Sequence, residues 1–395
     1  MNILLLTSEF APATGGIGTY VREIAAAATS LGARLTVIAP DYFSETSSHD
    51  RDLPFQVLRF QGGLHSMRHL PAKIMLARRQ IAAHDYDVVH AADWPFFIPL
   101  GLARNRTRAR LVVTVHGTEI NETQTPAKRL AIRSAGVFGP RTVVAANSRY
   151  TRDLFRQRFA IEPQRVKAIP LGVSSYWFGQ RRERDSTRRA YGIADSSIVM
   201  VTVARLTRRK GHDMTLAALV RLPEALRRRI IWLVIGPDGE SDYVGELRGL
   251  CASSDCDIRL LGPRPDSEIR DLYGASDFFC LTGVPDSSGR VEGFGLVYLE
   301  AAAGGLASVA TEIGGVPDAV IGEESGLLVA PSVDAIARAI AVLADDREVR
   351  DRLSAGALAH AQMLSWERCA AATYGLPAPA SRNDNQQTAL LRVGE

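Results

Sequence analysis

The same order of strand, loop and helix begins each half of the chain, and it limits the fold more than any other feature. In the first half, an apolar run at residues 2–7 leads into a glycine-rich loop and an alanine-rich helix at 19–30. In the second half, a strand at residues 198–203 leads into the loop ARLTRRKGHD and a helix at 213–220. A strand, loop, helix and further strand build a parallel sheet with helices on its faces. The sequence therefore predicts an α/β fold with two parallel sheets.

The length of the chain also favours two domains. Single hydrophobic cores stop growing near about 250–300 residues, and this chain has 395. The turn PLGV near residue 170 is a suitable boundary. We therefore expect domains at residues 1–170 and 171–365, then a helix at 366–376 that returns to the first domain. The polar tail at 377–395 is expected to be disordered.

Composition and charge narrow the class of protein and its partners. The chain is 46% hydrophobic and 23% charged, which is typical of a soluble globular protein. It lacks an apolar run of the ~20 residues that a membrane-spanning helix needs, and its start lacks the basic segment of a signal peptide. The four cysteines lack the spacing of metal or redox sites, so we expect a cytoplasmic location. Residues 1–170 carry a net charge of +9 and the remainder carries −5. The basic charge of the first half predicts an anionic partner, which is either a phosphorylated acceptor or a membrane surface. The alternative is that its arginines are scattered and serve only solubility.

A segment at residues 288–305 places two glutamates around a glycine turn and a helix. Glu292 lies just before the turn, and Glu300 lies within the helix that Gly304 ends. The start of such a helix offers free N–H groups and a positive dipole to a phosphate. The segment therefore predicts a ligand with both phosphate and hydroxyl groups. On spacing alone, a glycine turn with two solvated glutamates is an equal alternative.

Two loops are suited to anions, and they differ in chemistry. The loop after residue 203 carries Arg205 and Lys210, which offer a bidentate fork and a mobile point charge to phosphate. The GGIG loop of the first half can approach a diphosphate through its backbone. It is not the dinucleotide fingerprint, because Val21 stands where the third glycine would fall.

Polar residues follow the predicted strands of the first half. His90, Asp93 and Trp94 follow the strand at 86–90, and His116 follows the strand at 111–115. Ligands bind at the carboxyl ends of the strands in such sheets, so these side chains are expected to line a pocket. Asp85 and Asp87 match a D-x-D metal motif, but they run directly into a strand. We interpret them as a strand-entry turn.

The motifs occur in an order that resembles the retaining glycosyltransferases of family 4, which have the GT-B architecture. The resemblance covers about residues 1–375, and it is more specific than any one of its motifs. In chain order, these are GGIG, DVVHAADW, TVHGT, VAANSRYT, IPLGV, VARLTRRKG, VIGPDGE, LLGPRPDSEIRDLYGASDF, EGFGLVYLE, GGVPDAV and SWERC. The implied fold is two Rossmann-like domains whose parallel sheets face a central cleft.

The resemblance implies a nucleotide-sugar donor that is held mainly by the C-terminal domain. It assigns the diphosphate to Arg205 and Lys210, with Gly16 meeting it from the opposite domain. Glu292 would contact the hydroxyls of the transferred sugar, and Glu300 those of the ribose. The further donor-binding residues that it implies are Gly236, Leu261, Arg264, Gly293, Phe294, Gly295, Leu296 and Val297.

His116 would lie over the reacting sugar and would be catalytic together with Glu292, Arg205 and Lys210. Acceptor contacts are expected from Asp93, Trp94, Glu119 and Asn147. The family transfers sugars with retention of configuration and without a bound metal or other cofactor. The two cations would then stabilise the leaving diphosphate, and Glu292 need not be a nucleophile.

The chain departs from the family pattern at three places. The loop at residues 282–291 is longer than usual, which leaves the identity of the sugar open. Ala307 stands where a proline is usual, and Asp318 where a glutamate is usual.

The sequence thus predicts transfer of a hexose, of mannose or glucose type, to a glycan or lipid-linked acceptor in surface polysaccharide or glycolipid synthesis. No nucleic-acid partner is expected, and the hypothesis includes peripheral contact with the inner face of the membrane. A nucleotide-sugar epimerase, another enzyme of the same fold, a dinucleotide-dependent oxidoreductase and an inactive sugar-binding subunit are the alternatives.

Overall fold

The computed structural model describes residues 1–13, 15–41, 50–61, 69–121 and 125–378, with only the backbone given at 118 and 119. It contains two parallel sheets, one in each half of the chain. The strand order of the first sheet is β3-β2-β1-β4-β5-β6-β7. Its strands are β1 (Asn2–Leu6), β2 (Arg34–Asp41), β3 (Gln56–Gln61), β4 (Val88–Ala91), β5 (Arg110–Val115), β6 (Thr142–Ala146) and β7 (Val166–Ala168).

The first sheet is covered by helices on both faces, as the apolar pattern of β1 predicts. Ile3 and Leu5 belong to one hydrophobic cluster, whereas Leu4 and Leu6 belong to another. Since successive side chains of a strand point to opposite faces, β1 is buried on both sides. The helices are α1 (Gly16–Ser30), α2 (Leu70–Ala83), α3 (Phe97–Ala103), α4 (Thr118–Asn121), α5 (Pro126–Ala135) and α6 (Arg149–Arg158).

The second sheet has six strands in the order β10-β9-β8-β11-β12-β13. Its strands are β8 (Ile198–Val203), β9 (Ile230–Ile235), β10 (Asp257–Gly262), β11 (Phe278–Leu281), β12 (Ser308–Thr311) and β13 (Gly326–Val329). A connecting helix, α7 (Arg184–Ala190), precedes it. The helices that follow are α8 (His212–Val220), α9 (Glu224–Arg227), α10 (Ser241–Ser253), α11 (Asp266–Ala275), α12 (Leu296–Ala303), α13 (Val316–Ala319), α14 (Val333–Asp345), α15 (Arg347–Met363) and α16 (Trp366–Tyr374).

Both sheets are parallel throughout, which confirms the predicted pair of Rossmann-like domains. Two details differ from the sequence prediction. The strand at 56–61, which forms the edge of the sheet beside β2, was not predicted. Helix α1 begins at Gly16, three residues earlier than predicted, because Gly15 is extended and ends the loop there.

Helix α16 lies against α1 of the first domain. The hydroxyl of Tyr374 is 2.9 Å from Nδ1 of His90, and the guanidinium of Arg110 donates to the carbonyl of Tyr374. The chain therefore begins and ends on the same domain in the described residues. The tail beyond residue 378 lies outside the described part of the chain.

Two further sequence predictions concern metals and membranes. Asp87 accepts a hydrogen bond of 2.7 Å from the backbone N–H of Asn2, so it ties the entry of β4 to β1, as a strand-entry turn should. The described residues contain no group of three His, Cys, Asp or Glu side chains placed to hold a metal ion. Within the same residues, no helix combines the length and apolar character needed to cross a bilayer.

Candidate active site

Glu292 is the centre of a charge cluster in the cleft between the domains. Its Oε2 lies 2.5 Å from Nζ of Lys210 and 3.5 Å from Nη1 of Arg209. All three side chains are at most 19% exposed. Burial by itself would raise the pKa of the Glu292 carboxyl, but Lys210, Arg209 and then Arg205 outweigh it and lower that pKa. The carboxylate is therefore ionised and held by cations at neutral pH.

The loop after β8 directs its basic residues in different directions. Arg205 is exposed, and its guanidinium forms no hydrogen bond or salt bridge with any described residue. Arg208 turns away from the cleft to Glu246 and lies over the ring of Tyr243. The loop thus leaves one arginine available to a ligand while Lys210 holds Glu292.

Gly211 fixes this loop against the end of β11. It has a φ of 67°, and a Cβ there would lie 2.0 Å from the carbonyl oxygen of Thr282. The hydroxyl of Thr282 also donates to the carbonyl of Gly211 over 2.9 Å. A side chain at position 211 would therefore separate the cationic loop from the strand that leads to Glu292.

The glycine turn before α12 brings the backbone close to the cleft. Gly295 has a φ of 89°, and a Cβ on it would lie 2.6 Å from the ring of Tyr298. Phe294 is buried, and Tyr298 donates to the carbonyl of Leu281, so the turn is held from both sides. The first amides of α12, at Leu296 and Val297, have no acceptor within the helix. The turn and helix start therefore form the predicted anion-suited element next to Glu292.

Glu300 lies in α12, and the charged groups that shift its pKa are acidic, whereas those that shift the pKa of Glu292 are basic. It lines a pocket of about 180 Å³ between the domains, together with Glu23 of α1 and Asp266 of α11. Burial, then Asp266 and Glu23, raise the pKa of the Glu300 carboxyl to about 8. At neutral pH this carboxyl is mostly protonated, unlike Glu292.

The two domains meet directly beside Glu292. A Cβ on Gly293 would lie 1.9 Å from the carbonyl oxygen of His116, and one on Gly315 would lie 1.9 Å from the carbonyl oxygen of Gly293. Next to this contact, the Arg149 backbone N–H and guanidinium both donate to the carboxylate of Asp318. Asp318 therefore forms an ion pair across the cleft at the position where a glutamate is usual in the family.

His116 is at the predicted place, at the end of β5 and across the cleft from Gly293. Its Nε2 lies 2.9 Å from the carbonyl oxygen of Ala92, and its ring packs edge-on against Tyr20 at 4.9 Å. Asn147 donates to the carbonyl of His116 over 3.0 Å. Ala92 and Tyr20 of the first domain thus help to orient the imidazole.

The other polar residues of the first domain have mainly structural contacts. Asp93 is 1% exposed, and its Oδ2 accepts hydrogen bonds from the N–H and hydroxyl of Ser8 at 2.7 and 2.6 Å. His90 was expected to line the pocket, and this is wrong, because the residue is fully buried between Tyr374 and Thr114. That burial, with electrostatic effects of His116 and Arg110, lowers the pKa of His90 to about 3.

Trp94 is partly exposed and packs against Phe97 with the two rings tilted, while the ammonium of Lys128 lies 4.5 Å above its ring. The side chain of Glu119 lies outside the described residues. The acceptor contacts assigned to Asp93, Trp94, Glu119 and Asn147 stay predictions.

Gly16 is the first residue of α1, and a carboxylate already lies at this helix start. Oε1 of Glu9 accepts a hydrogen bond of 3.1 Å from the N–H of Gly18. A Cβ on Gly15 would lie 1.9 Å from the same oxygen, so a side chain there would displace the Glu9 carboxylate from its present position. The helix start therefore accommodates negative charge, as its predicted contact with a diphosphate requires.

The remaining predicted donor residues lie at the ends of β9 and β10. Gly236 has a φ of 150° and fits against the carbonyl of Ala204, which a side chain would prevent. Leu261 lies in β10, and Arg264 pairs with Glu268 at 3.1 Å. The donor contacts assigned to these positions stay predictions.

Sequence reasoning missed three contributors to the site. Arg209 reaches Glu292, while Glu23 and Asp266 face Glu300. The run RRK was visible as a signal for Arg209, but it could not show which arginine faces the cleft. No sequence pattern marked the two carboxylates, because they come from different domains.

Comparison with known proteins agrees with the two-domain fold. A family model described as Glycosyl transferases group 1 matches residues 183–359, and the model Glycosyltransferase Family 4 matches residues 14–175. The chain is 31% identical over 360 residues to a GDP-mannose-dependent alpha-(1-6)-phosphatidylinositol monomannoside mannosyltransferase of Mycolicibacterium smegmatis. That match covers 87% of this chain and 90% of the relative. A D-inositol 3-phosphate glycosyltransferase of Corynebacterium glutamicum is 30% identical, over 98% of this chain and 93% of the relative.

Among solved structures, HepE of Anabaena, crystallised with UDP and glucose, has a TM-score of 0.72 at 24% identity, and the match covers 100% of both chains. This likeness establishes the GT-B fold. With the two family models and relatives that span nearly the whole chain, the protein belongs to the glycosyltransferases that join a family 4 domain to a group 1 domain.

Proposed function

We propose that this enzyme transfers a hexose of mannose or glucose type from a nucleoside-diphosphate sugar to a phosphorylated polyol or lipid-linked glycan. The observation that carries the proposal is the carboxylate of Glu292, held by Lys210 and Arg209 beside a glycine turn and a free Arg205. The names of the relatives support the substrate class, since they use GDP-mannose or act on inositol phosphate and its lipids.

In the proposed reaction, the bond from the anomeric carbon to the β-phosphate oxygen breaks, and its electron pair stays on the diphosphate. The acceptor hydroxyl forms the new bond to the same carbon, and its proton passes to the leaving phosphate. Arg205 and Lys210 stabilise the charge that develops on the diphosphate, which is the role a metal ion has in other transferases. We propose that configuration is retained, so that the acceptor attacks from the face that the diphosphate leaves.

Transfer of a radiolabelled sugar tests this function. We expect GDP-mannose or UDP-glucose to label inositol phosphate or a phosphoinositide extract, and EDTA to leave the rate unchanged. The anomeric proton coupling of the product, measured by NMR, should match that of the donor. Consumption of the donor without labelling of any acceptor would indicate an epimerase and contradict the proposal. An absence of any melting-temperature shift with nucleoside diphosphates would contradict the donor site itself.

We also propose that the first domain touches an anionic membrane from the cytoplasmic side. Met75 of α2 is 69% exposed and Leu130 of α5 is 66% exposed, and α3 packs against both helices. The same two helices carry the exposed arginines Arg78, Arg79, Arg129 and Arg133. Exposed apolar groups on helices that also carry exposed cations match the surface of an anionic bilayer.

Sedimentation with vesicles tests this surface. The protein should pellet with phosphatidylglycerol vesicles at low salt and stay in solution with phosphatidylcholine vesicles. Replacing Arg78 and Arg79 by glutamate should release it, whereas Arg347→Glu, on the far domain, should not. Equal binding of the double variant would contradict the proposal.

A further inference from the structure

Arg209 is a cationic side chain in the site that the predicted donor contacts do not include. It lies between Arg208, which faces away from the cleft, and Lys210, which faces Glu292. The Arg209 side chain is 19% exposed, against 55% for Arg208. Its position in the sequence does not distinguish it from its neighbour, but its position in the fold does.

Arg209 and Lys210 approach the same atom. Nη1 of Arg209 is 3.5 Å from Oε2 of Glu292, and Nζ of Lys210 is 2.5 Å from that oxygen. Among the described residues, Glu292 is the only acidic partner of either cation. Two cations therefore lie next to one carboxylate oxygen, although a single cation would be enough to neutralise the carboxylate.

The backbone of Arg209 is fixed independently of its side chain. Its carbonyl accepts a hydrogen bond of 2.9 Å from the N–H of Val284, and a Cβ on Gly283 would lie 3.3 Å from that carbonyl oxygen. Arg209 is thereby attached to the start of the loop at 282–291 that leads to Glu292. The guanidinium and the carboxylate are held by the same pair of loops.

A bound donor would move Lys210 and Arg209 to different extents. Lys210 has a flexible stem and a compact charge, so the diphosphate of a donor would draw it away from Glu292. At that moment Glu292 would lose its nearest cation just as a sugar reaches it. The planar guanidinium of Arg209, with its backbone fixed, can stay in place.

We infer that Arg209 is a positioning residue, which holds the Glu292 carboxylate toward the sugar while Lys210 binds the donor diphosphate. This inference rests on the proposed function. In the described part of the chain, the groups that interact electrostatically with Glu292 are Lys210, Arg209, Arg205 and Tyr298. The hydroxyl of Tyr298 is fully buried and bonded to Leu281, so Arg209 is the group that remains once both phosphate-binding cations turn to the donor.

The test compares Arg209→Gln with Arg209→Lys and with the control Arg208→Gln, using whichever of GDP-mannose and UDP-glucose supports transfer. Arg209→Gln should lower kcat about tenfold at pH 7, the rate equivalent of one charged contact, with a smaller change in KM for the donor. The acidic limb of its pH profile should move to higher pH, because Glu292 loses a cation that favours its ionised form. Arg209→Lys should bring the limb back toward that of the wild type, and Arg208→Gln should not move it.

An unmoved pH profile in folded Arg209→Gln would overturn the inference. A raised KM with normal kcat would also overturn it, since Arg209 would then bind the donor directly. Arg209→Met provides a second uncharged variant if the glutamine variant does not fold, and the same shift is expected of it. A wild-type enzyme that transfers no hexose would instead contradict the proposed function, so the two failures can be told apart.

Discussion

Glu292 and Glu300 lie eight residues apart on one turn and helix, yet their surroundings oppose each other. Glu292 has cations on the second domain as neighbours, and they lower the pKa of its carboxyl against the effect of burial. Glu300 faces Asp266 and, across the cleft, Glu23, and its pKa rises to about 8. The comparison shows that one short segment presents an ionised carboxylate to one part of a ligand and a protonated carboxyl to another. We expect the first to serve the sugar and the second to serve the ribose.

The largest effect on the transfer rate should come from replacing Glu292, the glutamate that is held by cations. Glu292→Gln removes the carboxylate and leaves Lys210 and Arg209 without their partner. We expect kcat to fall by about 100-fold or more, the scale seen when one preorganised charge is removed from an active site. Initial rates with saturating donor and acceptor measure this. Near-normal turnover would show that Glu292 has no part in transfer.

The transfer rate should be almost as sensitive to a change at the contact between the two domains beside Glu292. In Gly293→Ala, the new Cβ would lie 1.9 Å from the carbonyl oxygen of His116, and backbone lies on both sides of that contact. We expect the domains to be held apart and kcat/KM to fall about 10- to 100-fold through misplaced groups. Gly249→Ala is the matched control, because nothing lies within 4 Å of its new Cβ. Equal rates in the two variants would show that this contact does not form during catalysis.

The raised pKa of Glu300 predicts that the affinity for a nucleoside diphosphate depends on pH. Ribose hydroxyls donate more strongly to an ionised carboxylate than to the protonated carboxyl present at pH 7, so the dissociation constant for UDP or GDP should fall as pH rises from 7 to 9. With a pKa of about 8, the expected gain is up to about tenfold. Glu300→Gln should give a flatter profile over the same range. Parallel profiles for the two proteins would mean that the ionisation of Glu300 does not affect binding.

A smaller effect should be seen in the stability of the ligand-free protein. The pKa of Glu300 is raised from an ordinary value of 4.5 to about 8, so the folded state retains a proton that the unfolded state has lost. Stability from this group is therefore full below pH 4.5 and falls as pH rises toward 8. Asp266→Asn should reduce that slope in urea-unfolding curves recorded at several pH values. An unchanged slope would show that Asp266 does not raise the pKa.

The structural features that the sequence predicted correctly are those marked by a pattern of neighbouring residues. Apolar runs and glycine loops were sufficient for two parallel sheets and for the segment around Glu292. The edge strand at 56–61 was missed because its side chains are only partly buried, so it lacks the apolar run of a central strand. His90 was misplaced because its partner, Tyr374, is 284 residues away and no local pattern reports that contact.

Two departures from the family pattern also find physical explanations. The N–H of Ala307 donates to the hydroxyl of Ser354 over 3.2 Å, a bond that the usual proline could not make. In the loop at 282–291, the carboxylate of Asp286 accepts hydrogen bonds from Ser288 and Arg290. Against the effect of burial, these bonds lower the pKa of Asp286 to about 2. The loop thus carries its own organising residue next to the predicted sugar site.

Calorimetric titration of three proteins with two pairs of ligands tests the division of labour between the glutamates most directly. The wild type, Glu292→Gln and Glu300→Gln would each be titrated with UDP and UDP-glucose, and with GDP and GDP-mannose. We predict that Glu300→Gln changes the affinity for a diphosphate and for its sugar conjugate by the same factor. Glu292→Gln should bind the diphosphate at least as tightly as the wild type but lose affinity for the sugar conjugate. If both variants change diphosphate binding equally, or if neither changes the binding of any ligand, the two glutamates do not share the donor in this way.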